Sequence, residues 1–257
     1  MDVFIICLVA FLASILTFFS GFGLGTLLAP VMMIYLPVEV SIALTGVVHF
    51  FNNVFKLFLV GRKGDKKVIL KFGLPAIFAA YLGAWLLLKM SNLDPIYQYH
   101  FLDQQWEIFP IKLVIAILLM AFALIDLLPW FSKLQFGERM LPAGGVLSGF
   151  FGGLTGTQGA LRSAFLIKSS LNKEAFIGTT VVVSTLVDIT RLGVYATGFS
   201  EVIQAEISVI IIGATISAII GAILGNKLLK KVTFHSIQII VAVFLILIAI
   251  GLGLGFL

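Results

Sequence analysis

Long apolar stretches, separated by short polar breaks, run the length of the chain. Residues 3–36, 38–60, 68–90 and 111–131 form one set, and residues 141–171, 175–197, 207–229 and 234–257 form a second. An α-helix rises about 1.5 Å per residue, so roughly 20 apolar residues cross a ~30 Å hydrocarbon layer. The later stretches of each set have that length and predict single crossings. The first stretch of each set is longer and is broken by glycine. One break reads Ser20-Gly21-Phe22-Gly23-Leu24-Gly25-Thr26, the other Gly152-Gly153-Leu154-Thr155-Gly156-Thr157-Gln158-Gly159.

The two sets also match residue by residue. A shift of 134 places Gly25 on Gly159 and Thr45 on Thr179. A shift of 135 places Asn53 on Asp188 and Lys56 on Arg191, and a shift of 138 places Gly83 on Gly221 and Lys89 on Lys227. The offset creeps as small loop insertions would make it creep. Ordered matches of this kind predict an internal repeat, with halves at 1–131 and 132–257.

Loop charges orient the chain, because basic loops stay on the cytoplasmic side. Arg62, Lys63, Lys66, Lys67 and Lys71 place the loop after the second stretch inside. Lys133 and Arg139 do the same for the central linker, and Lys227, Lys230 and Lys231 for the last loop. Asp94, Asp103 and Glu107 mark an outside loop, as do Glu201 and Glu206. A linker inside and Glu201 outside require an odd number of crossings between them. Residues 141–171 must therefore enter and return, as a re-entrant hairpin or two short helices, and Lys168 and Lys173 agree. The same reasoning makes 3–36 a hairpin that starts and ends outside. A hairpin plus three crossings is an odd count, so the halves lie in opposite orientations. The expected fold is an all-α polytopic membrane protein of two inverted repeats, each a glycine-broken, re-entrant-type hairpin plus three transmembrane helices. It is expected in the plasma (inner) membrane with both termini outside.

Composition removes other classes. Of 257 residues 60% are hydrophobic and 11% charged, with a mean hydropathy of +1.15. That leaves too little polar surface for a soluble enzyme, a nucleic-acid-binding module or a disordered chain. The net charge of +5 comes from short basic loops, which argues against a nucleic-acid partner. Cys7 stands alone, and His49, His100 and His235 lack metal-ligand spacing. No metal, cofactor or enzymatic nucleophile–base pair is expected. Met1-Asp2-Val3 lacks the basic start of a signal peptide and reads as part of the mature chain.

The breaks point to a binding site. In lipid, non-helical backbone is tolerated only where protein or a polar cavity surrounds it. Paired breaks in inverted halves are a sequence pointer to a transporter's midplane site. Each break ends by opening a short helix, at Gly25-Thr26 and at Gly159-Ala160, and helix N-termini favour anions. The expected substrate-binding residues are Gly23, Gly25, Thr26, Thr157, Gln158, Gly159 and Arg162, with Ser20 and Thr155 as further donors. The alternative is that these glycines serve close helix packing.

Residues 20–25, with Pro30 downstream, resemble the first motif of the TauE/SafE-type sulfite exporter family. Ser148-Gly149-Phe150-Phe151-Gly152-Gly153-Leu154-Thr155-Gly156, followed by Gln158-Gly159, is similar to its second copy, and the Asp188, Arg191, Tyr195 and Gly198 spacing is similar too. The resemblance covers essentially the whole chain. It implies a membrane permease for sulfur-containing oxyanions such as sulfite, sulfonates or related acids. Leu24 and Gln158 stand where a glycine pair is more usual.

Charges within the apolar stretches are the remaining candidates. An arginine in the hydrocarbon costs at least about 2.5 kcal/mol on insertion scales, so Arg162 should face a polar cavity or counter-ion. Contact with the anion suits its guanidinium, and snorkelling to the membrane edge is the alternative. Asp188 and Arg191 lie three apart and can pair, either as a neutralising pair or with a transport role. His49 and Asn53 lie four apart on one face, and His49 is either a packed hydrogen-bonding residue or the carrier of a coupling proton. His49, Asn53, Asp188 and Arg191 are thus the candidates for coupling or gating. The leading reading is a secondary transporter for a small sulfur oxyanion or organosulfur acid, with proton or ion coupling. An anion channel, or a carrier for a non-sulfur organic acid, is the alternative.

Overall fold

The computed structural model describes residues 3–20, 24–128, 136–166, 169, 171–198, 205–228 and 235–257. Gly21, Phe22, Gly23, Lys133, Lys168, Glu201, Lys230 and Lys231 lie outside these residues, as do the side chains of Ser20, Glu206 and Lys227. Among the described residues the helices are α1 (Val3–Ser20), α2 (Leu24–Met33), α3 (Val38–Val60), α4 (Lys66–Ser91) and α5 (Pro110–Leu127), then α6 (Leu141–Thr155), α7 (Gly159–Leu166), α8 (Lys173–Tyr195), α9 (Ala205–Leu228) and α10 (His235–Gly253). The chain is mostly helical and, with its apolar helices, that of a polytopic membrane protein. Helix α3 with its following turn, α4, α8 and the 207–225 part of α9 are each long and apolar enough to cross a membrane.

Local chemistry sets the helix ends. Pro37 precedes α3, and Glu39 lies in its first turn, where a negative charge suits the helix dipole. Asp65 caps α4 by accepting from Val68 N–H at 2.8 Å, and Asn172 caps α8 by accepting from Ala175 N–H at 2.8 Å. Pro75 cannot donate to the carbonyl four residues back, and a π-helical turn over Ile69–Gly73 absorbs the misfit within α4.

The helices pack in a reciprocal pattern. With α1 to α5 set against α6 to α10, α4 packs along α6 and α9 along α1. Helix α4 also meets α8, as α9 meets α3, while α3 pairs with α8 and α5 with α10. Small residues make the closest of these contacts, as expected where lipid removes the hydrophobic drive between helices. A Cβ on Gly83 would sit 2.1 Å from the Phe150 carbonyl oxygen, and one on Gly221 would sit 2.3 Å from that of Phe11. Both glycines therefore let two helix backbones come into close contact.

The loop between α4 and α5 folds as a β-hairpin, which the sequence reading did not anticipate. Strand β1 (Tyr97–Phe101) pairs antiparallel with β2 (Gln104–Ile108), and Leu102 and Asp103 form a two-residue turn at φ 52° and 58°. Both central residues at positive φ define the turn that matches strand twist. The hairpin grips the end of α10. Tyr99 donates to the Leu254 carbonyl at 2.6 Å, and the Trp106 and Phe256 rings meet edge-on at 4.7 Å.

Candidate functional site

The second break is the scaffold. Helix α6 ends at Gly156, whose φ of +77° is a left-handed conformation that glycine adopts without strain. The chain then passes through Thr157 and Gln158 before α7 opens at Gly159. Thr157 N–H donates to the Thr155 hydroxyl at 3.1 Å, and the two threonine hydroxyls hydrogen-bond each other. Ser148 donates to the Gln158 carbonyl at 3.3 Å. The first break comes against this loop: a Cβ on Gly25, in the opening turn of α2, would stand 2.8 Å from the Gly156 carbonyl oxygen. Thr26 follows, buried. The two breaks therefore touch in the interior.

Polar side chains enter this region without protein partners. Gln158 is 1% exposed, and neither atom of its amide group is hydrogen-bonded within the protein. Arg162, whose N–H donates to the Gln158 carbonyl at 3.1 Å, is 3% exposed, and its Nε and Nη1 make no hydrogen bond there. Unmade hydrogen bonds on buried polar groups cost about 1–3 kcal/mol each, more when charged. Such groups are met by water or by a bound molecule.

Helices α3 and α8 face each other beside the break. Asp188, fully buried, is the hub. Its Oδ2 takes His49 Nδ1 at 2.7 Å and Asn53 Nδ2 at 2.9 Å. Its Oδ1 takes Arg191 Nε at 3.0 Å, with Arg191 Nη2 at 2.8 Å. The third guanidinium nitrogen, Nη1, reaches the Gly152 carbonyl at 3.4 Å. Tyr195 donates to the Gly153 carbonyl next to it. The charges of Lys56 and Arg162 act on one another, as do those of Arg162 and Asp188. Lys56 is buried too.

Every described residue among the site candidates is buried, and the contacts above join His49, Asn53, Asp188, Arg191, Arg162, Gln158 and the Thr157 loop into one region. Gly23 falls outside the described residues. Sequence reasoning did not place Lys56 in this group. Its spacing held the signal, because His49, Asn53 and Lys56 follow at i, i+4 and i+7 on one helix face.

Three basic side chains, Lys56, Arg162 and Arg191, thus share this interior with one carboxylate, Asp188. Among the described residues no other acidic side chain is buried. A helical membrane protein with a buried cationic centre between two glycine breaks is the class this fold defines. The family described as sulfite exporter TauE/SafE matches residues 6–252, and the chain belongs to that family. Neither the curated proteins nor the solved structures yield a match. Membership makes it a transporter-family protein of the membrane, whose family handles sulfite and related sulfur compounds.

Proposed function

We propose that the chain is a secondary carrier for a small sulfur oxyanion or organosulfur acid, bound where the two breaks meet. One observation carries this reading: among the described residues basic side chains outnumber carboxylates in the buried interior, with two Arg162 nitrogens and the Gln158 amide group making no bond within the protein. An isolated buried cation is costly, and an anion offsets that cost. Guanidinium suits planar and tetrahedral oxyanions, and the opening turn of α7 adds backbone N–H groups beside it. Gly25, Thr26, Thr157 and Gly159 complete the binding surface in this reading.

The reciprocal packing of α4 on α6 and α9 on α1 supports two inverted repeats, here residues 1–131 and 132–257. Rocking of the halves about the meeting breaks would expose the anion alternately to each side of the inner membrane. In this reading the end after α3, with its basic loop, faces the cytoplasm and both termini face outside.

The test is uptake into proteoliposomes, with and without a proton gradient, over sulfite, sulfate, thiosulfate, sulfonates and small carboxylates. Saturable, counterflow-competent transport of sulfur oxyanions is expected. Transport of cations or neutral solutes alone would overturn the anion reading, and conductance without counterflow would make the protein a channel. Preference for carboxylates over sulfur anions would leave the site and move the substrate class.

A further inference from the structure

We propose that His49 Nε2 binds a proton whose occupancy is linked to that of the anion, so that a proton crosses with each anion. The inference rests on the reading of the chain as an anion carrier.

The geometry fixes which nitrogen takes the proton. Nδ1 lies 2.7 Å from the Asp188 carboxylate, which can only accept, so Nδ1 carries hydrogen and donates. A carboxylate that holds one imidazole nitrogen in its N–H form leaves the lone pair on the other. Nε2 lies farther from its neighbour, 3.5 Å from the Asn53 amide nitrogen. Asp188 cannot turn away, since Arg191 holds its other oxygen. Asn53 and Arg191 are thus positioning residues for the imidazole.

The charges around His49 supply the linkage. Lys56 acts on it from its own helix, Asp188 and Arg191 act on it from α8, and Arg162 of α7 acts on Asp188. Helix α2 brings no titratable side chain, α1 brings only Cys7, and the described side chains of α9 bring none. Arg62 and Lys63 after α3 are exposed, as are Lys66, Lys67, Lys71, Tyr81 and Lys89 of α4. With His49 neutral and no anion, Arg162 and Arg191 face the single carboxylate of Asp188 beside it. A proton on His49 adds one more positive charge to this group. An oxyanion beside Arg162 offsets part of that charge, and the same proton then meets less repulsion. Anion and proton therefore favour each other, and linkage makes the effect reciprocal. The proton enters from water on one side, adds to the Nε2 lone pair, and returns to water on the other. No other bond is made or broken.

The experiment uses the full chain in proteoliposomes with a pH dye inside and the best-transported oxyanion of the screen outside. Wild type is expected to carry one proton per anion. His49→Asn keeps a donor toward Asp188 and removes Nε2, and its proton-to-anion ratio is expected to fall close to zero. A variant that keeps the wild-type ratio overturns the assignment. Wild-type anion transport without proton movement overturns the proton site and leaves the anion reading standing. No transport of any oxyanion overturns the anion reading itself. Should the variant fail to fold, nitrogen-15 NMR of labelled histidine in the wild-type chain decides, with His100→Gln and His235→Gln assigning the signals. Protonation of His49 Nε2 on anion addition supports the site, and an Nε2 that keeps its lone pair overturns it.

Discussion

Helices α3 and α8 pack against each other, yet where α3 has Asn53 and Lys56, α8 has Asp188 and Arg191. In α8 the two side chains close on each other, and the carboxylate has capacity left for His49 and Asn53 across the interface. In α3 the residue three before the lysine is an amide, Asn53, and the lysine's charge repels that of Arg162. The backbone architecture is shared, and the charge balance is not. Within α8 the Asp188–Arg191 pair supplies rigidity, while Lys56 on α3 and Arg162 on α7 supply the positive charge that an anion would offset in the proposed reading.

The comparison breaks most visibly at Asp188. Asp188→Ala strips the partner from Arg191 and His49 in a dry interior, and losing one side of a buried pair costs about 3–5 kcal/mol. Collapse of the monodisperse peak in detergent, or a large drop in thermal unfolding temperature, is the expected result. The exchange Asn53→Asp with Asp188→Asn moves the carboxylate to the other half, where it adjoins His49, and should recover part of the loss. Wild-type stability in Asp188→Ala would mean that the hub does not hold the halves together.

Arg162 should behave in the opposite way. Its Nε and Nη1 have no hydrogen bond in the protein, so Arg162→Ala should leave thermal stability unchanged or raised. Anion affinity should fall by about 30-fold or more, since losing one member of a desolvated charge pair costs roughly 2–5 kcal/mol. Arg162→Lys keeps the charge without the planar fork and should fall between. Undiminished transport in Arg162→Ala would end its proposed role.

What the sequence made legible follows the reach of local geometry. Helical spacing by itself puts Asp188 with Arg191 and His49 with Asn53, and both pairs are present. That Asp188 also binds His49 depends on two helices 139 residues apart meeting at one height, which no local spacing encodes. The glycine breaks were visible, as were the apolar stretches. The hairpin at residues 97–108 was not, because its turn uses Leu102-Asp103 where a glycine would have signalled it. Arg162 stood out as a charge in an apolar run. Lys56 sits at an equally buried level but entered only as the repeat partner of Arg191.

A smaller effect separates the two breaks. Gly25→Ala drives a Cβ toward the Gly156 carbonyl at 2.8 Å, a backbone atom that cannot swing aside. Overpacking of this kind costs about 1–3 kcal/mol and should part the breaks, so thermal stability and transport should fall together. Gly193→Ala on α8 has nothing within 4 Å of its new Cβ and serves as the control. It should gain about 0.4–1 kcal/mol through a less flexible unfolded chain. Equal effects at the two positions would show that the contact between the breaks is slack.

The weakest prediction sets a second cross-half ion pair against the first. Lys63, after α3, meets Glu174, in the first turn of α8, at 2.8 Å, so this contact also joins the halves through an opposite-charge pair. Its side chains are 50% and 68% exposed, whereas those of His49 and Asp188 are 6% and 0%. Water screens the exposed pair, and holding two long side chains costs entropy, which leaves about 0–1 kcal/mol. Glu174→Gln should therefore shift thermal unfolding little, and added salt should erase what shift there is. A loss as large as that of Asp188→Ala would place the tie between the halves at this exposed end rather than at the buried centre.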